Sequence, residues 1–221
     1  QNANITVVDL SKASLAYAKR KTEEIGIKNI TFLQADILKL KNLNKNFEII
    51  ECIGVLHHMK EPLKGLKVLL DLLQPHGFLK IGLYSEIARQ HIVQARKFVK
   101  ESNYKSTLID IKKFRQIVIT QKLDSSLNKL CDSGDFYSTS ALRDLVFHVQ
   151  EKRFTLPQLS KIFVDFDLEF LGFNNPTIKN KYHNLFPSDK NITSIDNWNQ
   201  FEIDHPNSFN GMYIFWVKRK K

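Results

Sequence analysis

The sequence has few of the residues and segments that define several large classes of protein. Only two of its 221 residues are cysteines, Cys52 and Cys131, which argues against a disulfide framework and fits a reducing cytoplasm. Its apolar runs are all shorter than the roughly 20 residues of a membrane-spanning helix. The first residues also lack the basic and apolar stretches of a secretory signal. The sequence therefore predicts a globular cytoplasmic protein without a membrane partner.

Arginine is scarce as well, although the formal net charge is +10. Only seven of the 33 basic residues are arginine, and the others are lysine. Proteins that read nucleic-acid bases usually rely on the flat, two-pronged guanidinium group of arginine. We therefore interpret the charge as a lysine-rich surface, so that a nucleic-acid partner is possible but not favoured.

The first 85 residues alternate between short apolar segments and amphipathic ones. Apolar segments at 5–9, 29–34, 47–55 and 77–84 are typical of buried strands. A helix is predicted between Ser11 and Gly26, and Pro62 suits the first turn of another, which carries a leucine stripe up to Leu73. Strands separated by helices predict right-handed crossovers and a mostly parallel, Rossmann-like α/β sheet.

The pattern then becomes helical over residues 86–166, and a capping box at Thr155 and Gln158 marks one helix start. Two further apolar segments, at 168–173 and 211–217, predict closing strands. We therefore divide the chain into a sheet-forming part at 1–85, a helical lid insertion at 86–166 and closing strands at 167–221.

Two acidic residues end consecutive predicted strands, and both are candidates for binding a nucleotide. Asp9 ends the first strand, where a carboxylate can accept hydrogen bonds from both ribose hydroxyls. Asp36 ends the second, where it can accept a hydrogen bond from an adenine amino group while Ile37 packs on the base. The alternative is that each carboxylate only caps the following helix.

Two adjacent histidines, His57 and His58, follow the third strand at the same edge of the sheet. Imidazole titrates near neutral pH and can take a proton from a nucleophile, so both are candidate catalytic bases. The alternative is a helix cap or packing against a cofactor. Tyr84, at the end of the next strand, lies at the same predicted edge.

Together these residues resemble the class I S-adenosylmethionine-dependent methyltransferases. The similarity is carried by Asp9, Asp36, the segment at 54–58 and the turn at 73–79, in which His76 replaces the first of two glycines. The segments at 135–140, 147–150 and 153–157 resemble a subgroup of bacterial methyltransferase domains often linked to tetratricopeptide repeats. The resemblance covers residues 4–85 and, more loosely, the closing strands, which implies an antiparallel last strand.

The resemblance implies S-adenosylmethionine as the cofactor and methyl transfer as the reaction. The implied cofactor-binding residues are Asp9, Leu10, Asp36, Ile37, Cys52 and Gly54. The candidate residues for binding the methyl acceptor, which we expect to be a small molecule or a peptide, are Tyr84, Arg89, Tyr137 and Arg143. No metal site is predicted, and a fusion to a tetratricopeptide-repeat region is possible.

The family's first strand and glycine-rich loop have no counterpart in this sequence. In the family that strand lies centrally, between the strands that end at Asp9 and near Gly54. We therefore expect the chain to be an N-terminally truncated piece of a longer protein, with an open gap in its sheet.

Three other functions are considered. A catalytically inactive, methyltransferase-like binding module and an RNA methyltransferase both agree with the same residues. A short-chain dehydrogenase that binds NAD shares only the two acids: its Asn-Ala-Gly segment is missing, and the single nearby Tyr-x-x-x-Lys match, Tyr17 to Lys21, lies on the wrong helix.

Overall fold

A computed structural model describes residues 3–120, 125–147 and 151–220 of the chain. The strands are β1 (Ile5–Asp9), β2 (Ile30–Gln34), β3 (Phe47–Ile53), β4 (Leu73–Tyr84), β5 (Leu168–Phe173) and β6 (Met212–Arg219). The helices are α1 (Lys12–Glu24), α2 (Pro62–Asp71), α3 (Gln90–Glu101), α4 (Leu108–Thr120), α5 (Ser125–Asn128), α6 (Thr139–Val146), α7 (Leu156–Asp165), α8 (Pro176–Leu185) and α9 (Ile195–Asp204). Short 3₁₀ helices occupy Ile37–Leu43, Leu56–His58, Lys129–Asp132 and Gly134–Phe136.

The strands form two hydrogen-bonded groups. β1 and β2 pair in parallel, and the other four strands have the order β3-β4-β6-β5. β3 and β4 are parallel, whereas β6 runs antiparallel to both of its neighbours. The predicted α/β class with a mostly parallel, Rossmann-like arrangement and an antiparallel closing strand is confirmed.

A gap separates β1 from β3. Within the described part of the chain, no strand pairs with the edge of β1 that faces away from β2 or with the free edge of β3. Apolar side chains of β3 are consequently left open to solvent, and Ile49 has 57% of its surface exposed. Both edges present backbone N–H and C=O groups without strand partners.

The predicted turn at 74–77 is a bulged beginning of β4 in the structure. The pairing of β3 with β4 shifts between Phe47 and Ile49, and His76 adopts a left-handed backbone with φ of 66°. Glycine adopts that conformation without strain, which explains why a glycine is typical of this position in the resembling family. Gly77 follows it closely packed, with the Glu48 carbonyl oxygen 2.9 Å from where a Cβ would lie.

The helices after β4 have a hydrophobic core of their own. It joins α3, α4 and α6 through buried residues that run from Ile92 to Val146, with Phe114, Phe136 and Leu142 fully buried. α7 belongs instead to the main core, where Leu159 and Phe163 pack with the sheet. The buried residues of the separate helical core thus lie between Ile92 and Val146, whereas α7, which also falls in the predicted insertion at 86–166, packs with the sheet. In the described ranges no helix combines the length and apolar character needed to cross a membrane.

The region between β5 and β6 contains two helices, α8 and α9, where the sequence suggested only a polar, asparagine-rich segment. Asn175 and Ser194 cap them. The large buried side chains of Tyr182, Trp198 and Phe201 attach them to the main core. Burial of these few aromatic rings compensates for the low overall hydrophobicity of the segment.

Candidate active site

The gap between β1 and β3 opens into a cavity of about 830 Å³. Every lining residue lies between Thr6 and Leu72, and the cavity collects the carboxyl ends of β1, β2 and β3. The six predicted cofactor-binding residues all line it, together with His58: Asp9, Leu10, Asp36, Ile37, Cys52 and Gly54. The parallel strands bring these residues together because their carboxyl ends share one edge.

One of the two candidate acids also fulfils the capping role that was the alternative for both: Asp36 caps a 3₁₀ helix, whereas the N-cap of α1 is Ser11 and not Asp9. Asp9 Oδ1 accepts a hydrogen bond of 2.7 Å from the Ser11 backbone N–H. Asp36 Oδ1 accepts one of 2.9 Å from the Leu38 N–H at the start of a 3₁₀ helix. Each of these bonds uses one carboxylate oxygen, and an ionised carboxylate accepts at both. These local hydrogen bonds and ligand binding are therefore compatible at both positions.

Cys52 and Gly54 shape the wall formed by β3. Burial raises the pKa of the Cys52 thiol to about 11, although a hydrogen bond with the Leu56 backbone opposes the shift. The thiol is therefore protonated at neutral pH and is not a nucleophile. Gly54 has a φ of 79°, and no atom lies within 4 Å of the position that a Cβ would take. This residue lets the chain turn sharply beside the cavity.

His57 is fully buried and does not line the cavity. Burial lowers its pKa to about 3, and the positive charges of His58 and Arg89 act in the same direction. Neither ring nitrogen has a hydrogen-bond partner among the described residues; the Gly82 backbone favours the charged form without reaching hydrogen-bond geometry. His57 is therefore neutral across the physiological pH range.

His58 is the histidine that reaches the cavity. Its ring meets that of His57 edge-on, with 4.4 Å between the ring centroids, and that of Tyr84 at 5.6 Å. Tyr84 stacks on His57 at 3.5 Å, so that the three rings form one packed group. Tyr84 therefore does not line the cavity itself but contacts His58, which does.

The other candidate acceptor-binding residues lie outside the cavity lining. Arg89 is buried in an ion cluster. Tyr137 is exposed, and its hydroxyl donates to the Cys131 carbonyl at 3.2 Å. Arg143 is exposed on α6. Residues 148–150 of the resembling segment at 147–150 lie outside the described part of the chain.

Glu151 was not predicted from the sequence, and it lies in the ion cluster with Arg89. Its side chain is 1% exposed, and three arginines surround it. Neither a motif nor a periodic pattern marks this glutamate, because its partners come from elsewhere in the chain.

Comparison with known proteins agrees with this geometry. Residues 1–151 match the family model described as a methyltransferase domain, which is about two-thirds of the chain. The protein belongs to this family, and its predicted membership of the class I methyltransferases is confirmed.

Among individual relatives, an uncharacterised protein of Synechococcus sp. is 29% identical over an alignment of 185 residues, and the match covers 79% of this chain and 43% of that protein. The structure of PKMT2 from Rickettsia typhi superimposes with a TM-score of 0.68 at 16% identity. PKMT2 in complex with AdoHcy gives 0.67 at 17% identity. Both superpositions cover 97% of this chain and 43% of PKMT2. The structural likeness supports the fold, and the chain spans less than half the length of these relatives.

Proposed function

We propose that the protein transfers a methyl group from S-adenosylmethionine to a small-molecule or peptide acceptor. The observation that carries this proposal is the convergence of Asp9, Asp36 and Gly54 on one cavity at the carboxyl ends of three parallel strands. The activity is proposed for the whole protein, of which this chain provides the methyltransferase domain.

The residues present suit the adenosine end of the cofactor. Asp9 would accept hydrogen bonds from the ribose hydroxyls and Asp36 from the adenine amino group, with the apolar side chain of Ile37 beside the base. The backbone of β3 up to Gly54 would hold the methionine end. When bound, S-adenosylmethionine supplies a methyl group on a sulfonium, which an acceptor displaces in line.

The gap beside β1 is where the family resemblance places a further strand. A strand there would pair with the free edges of β1 and β3 and cover the exposed Ile49. We include such a strand in the proposed complete site.

His58 is the proposed base for acceptors that must lose a proton. It lines the cavity, whereas His57 is buried with a pKa of about 3. Because the methyl donor is already activated, the main task of the protein is to align the reactants and exclude water. The base matters only for acceptors that are protonated when they bind.

The surroundings of the cavity support the proposed acceptor class. The packed helices α3 to α6 follow the end of β4 directly, so that they leave the edge near Tyr84 and His58. A helical layer beside the site favours a small or extended acceptor over a flat nucleic-acid duplex.

Asp9→Asn should separate ligand binding from the local hydrogen bond between Asp9 and Ser11. The amide oxygen of asparagine can still accept from the Ser11 N–H, so we expect unchanged thermal stability. The variant loses the charge that strengthens the hydrogen bonds from the ribose, and such charged bonds contribute about 1.5–3 kcal/mol. This energy corresponds to a loss of affinity for S-adenosylmethionine of roughly 10- to 150-fold. Isothermal titration calorimetry on the full-length protein measures the loss.

The matched control is Asn175→Ala, which removes the corresponding side-chain bond to the backbone two residues on, at Thr177 at the start of α8 and away from the cavity. It should lower stability without changing the affinity. Absence of a binding heat in the wild-type protein, or equal affinity in Asp9→Asn, would contradict the proposed cofactor site and favour a non-catalytic binding module.

A further inference from the structure

Beyond the cavity lies a buried ion cluster, which we call the Glu151 cluster: Glu151, Arg89, Arg96, Arg153 and Glu86. Glu151 Oε1 and Oε2 accept from Arg89 Nε at 3.2 Å and Nη2 at 2.8 Å, a two-pronged contact. Arg96 Nη1 donates to Oε2 at 3.0 Å, and Arg153 Nη1 to Oε1 at 3.4 Å. Arg153 Nε also donates to Glu86 at 3.0 Å.

Glu151 is ionised in this environment. Burial alone would raise the pKa of its carboxyl group, but hydrogen bonds from Arg89 and the charges of all three arginines outweigh burial and lower it. A buried carboxylate with several charged donors holds its partners in a fixed geometry. The cluster is therefore a rigid joint between α3, which carries Arg96, and the segment that contains Glu151.

That segment also contacts the site through its backbone. The Lys152 N–H donates to the His57 carbonyl at 2.8 Å, and the Phe154 N–H donates to the Tyr84 carbonyl at 2.8 Å. The Glu86 N–H in turn donates to the Phe154 carbonyl at 2.8 Å. Residues 151–154 thus lie against both the histidine turn and the end of β4.

A second route runs through side chains from Arg89 to the cavity. The guanidinium carbon of Arg89 lies 3.6 Å from the centre of the Tyr84 ring. Tyr84 stacks on His57, and both rings contact His58, which lines the cavity. The two-pronged bond to Glu151 fixes the plane of the guanidinium, and a fixed guanidinium fixes the ring that it covers.

We propose that Glu151 is a positioning residue that, through Arg89, Tyr84 and His57, holds His58 at the cavity wall. The role rests on the proposed methyltransferase function, for which His58 faces the acceptor. It makes α3 and the histidine turn one mechanical unit, so that a displacement of α3 is transmitted to His58.

The test uses NMR of the full-length protein with labelled histidine rings. In the wild-type protein, the stacked Tyr84 ring shifts the His57 ring-proton signals away from their free values, and added S-adenosylmethionine shifts the His58 signals. In Glu151→Gln and in Arg89→Met, we expect the His57 signals to move toward free values and the cofactor-induced shift of His58 to be lost. The affinity of both variants for S-adenosylmethionine, measured by calorimetry, should stay within about threefold of the wild-type value. A change of about 1.4 kcal/mol in binding free energy would alter it about tenfold.

Arg89→Met is included in case Glu151→Gln does not fold. It removes the contact with Tyr84 but leaves Glu151 paired with Arg96 and Arg153. The control is Glu61→Gln. Glu61 lies three residues beyond His58, and the substitution breaks its exposed ion pair with Lys64. It should leave both histidine signals unchanged.

Wild-type signals of His57 and His58 in a folded Arg89→Met protein would overturn the proposal. A wild-type protein that does not bind S-adenosylmethionine would instead overturn the proposed function, and the His57 signals without cofactor would still decide whether the contact chain exists.

Discussion

Acidification should destabilise the protein through the buried imidazole of His57. In the unfolded chain a histidine has a pKa near 6.5, whereas burial holds that of His57 at about 3. Between these values the unfolded state binds one more proton than the folded state, so stability is fully present above pH 6.5 and falls as the pH is lowered. From pH 7 to pH 4 the expected loss is about 3 kcal/mol, at 1.36 kcal/mol for each unit below 6.5.

His57→Phe should remove this part of the pH dependence. Phenylalanine retains a flat ring to stack on Tyr84 and has no nitrogen that needs a buried partner. We expect its stability at pH 7 to lie within about 2 kcal/mol of wild type. At pH 4 the variant should be the more stable protein. Urea unfolding followed by circular dichroism at several pH values between 4 and 7.5 measures the difference.

The control is His183→Gln, which removes an exposed imidazole from α8. It tests whether the loss of any histidine has the same effect. Equal pH slopes for wild type and His57→Phe would show that His57 is accessible to protons in the folded protein, contrary to its placement.

A second large effect is expected from Glu202, a fully buried carboxylate on α9. It accepts hydrogen bonds from the Ser85 hydroxyl at 2.6 Å and the Tyr213 hydroxyl at 2.5 Å. These bonds attach α9 to the end of β4 and to β6. Glu202→Ala leaves two buried hydroxyls without their acceptor and opens a cavity, so we expect a loss of about 3–5 kcal/mol in the free energy of unfolding.

The pH dependence of Glu202 has the opposite sign to that of His57. Burial raises its pKa, although the bonds from Ser85 and Tyr213 oppose the shift. The folded state therefore retains a proton that the unfolded state has released, and the contribution of Glu202 to stability falls as the pH rises above about 4.5.

Glu202→Gln keeps the volume but cannot titrate, so urea unfolding should show that this fall is lost. Tyr213→Phe, which removes one of the two donors, is the control and should cost less than Glu202→Ala. Wild-type stability in Glu202→Ala would show that these bonds contribute nothing to the attachment of α9.

The strands and the cavity residues were predictable because their signals are local. Apolar segments that end in an acid define β1 and β2, and the carboxyl ends of parallel strands must meet at one edge. Asp9, Asp36 and Gly54 could therefore be placed together without knowledge of any tertiary contact. The segment at 54–58 likewise placed a histidine at this edge.

The remaining features depend on contacts between distant parts of the chain. Glu151 meets Arg89 across 62 residues, and Glu202 meets Ser85 across 117. No local pattern marks either glutamate. The helices α8 and α9 were missed for a different reason: their polar composition hides a few large aromatic anchors, although Asn175 before Pro176 was a readable start signal.

The gap between β1 and β3 also has a thermodynamic consequence. The unit formed by β1, β2 and α1 carries Asp9, while β3 carries the opposite wall of the cavity. A ligand that contacts both walls would bridge two separately paired sheets. Part of its binding energy would then stabilise β1 and β2 against local unfolding and slow their amide hydrogen exchange. Ligand occupancy of the cavity and local folding of this unit would therefore be thermodynamically coupled.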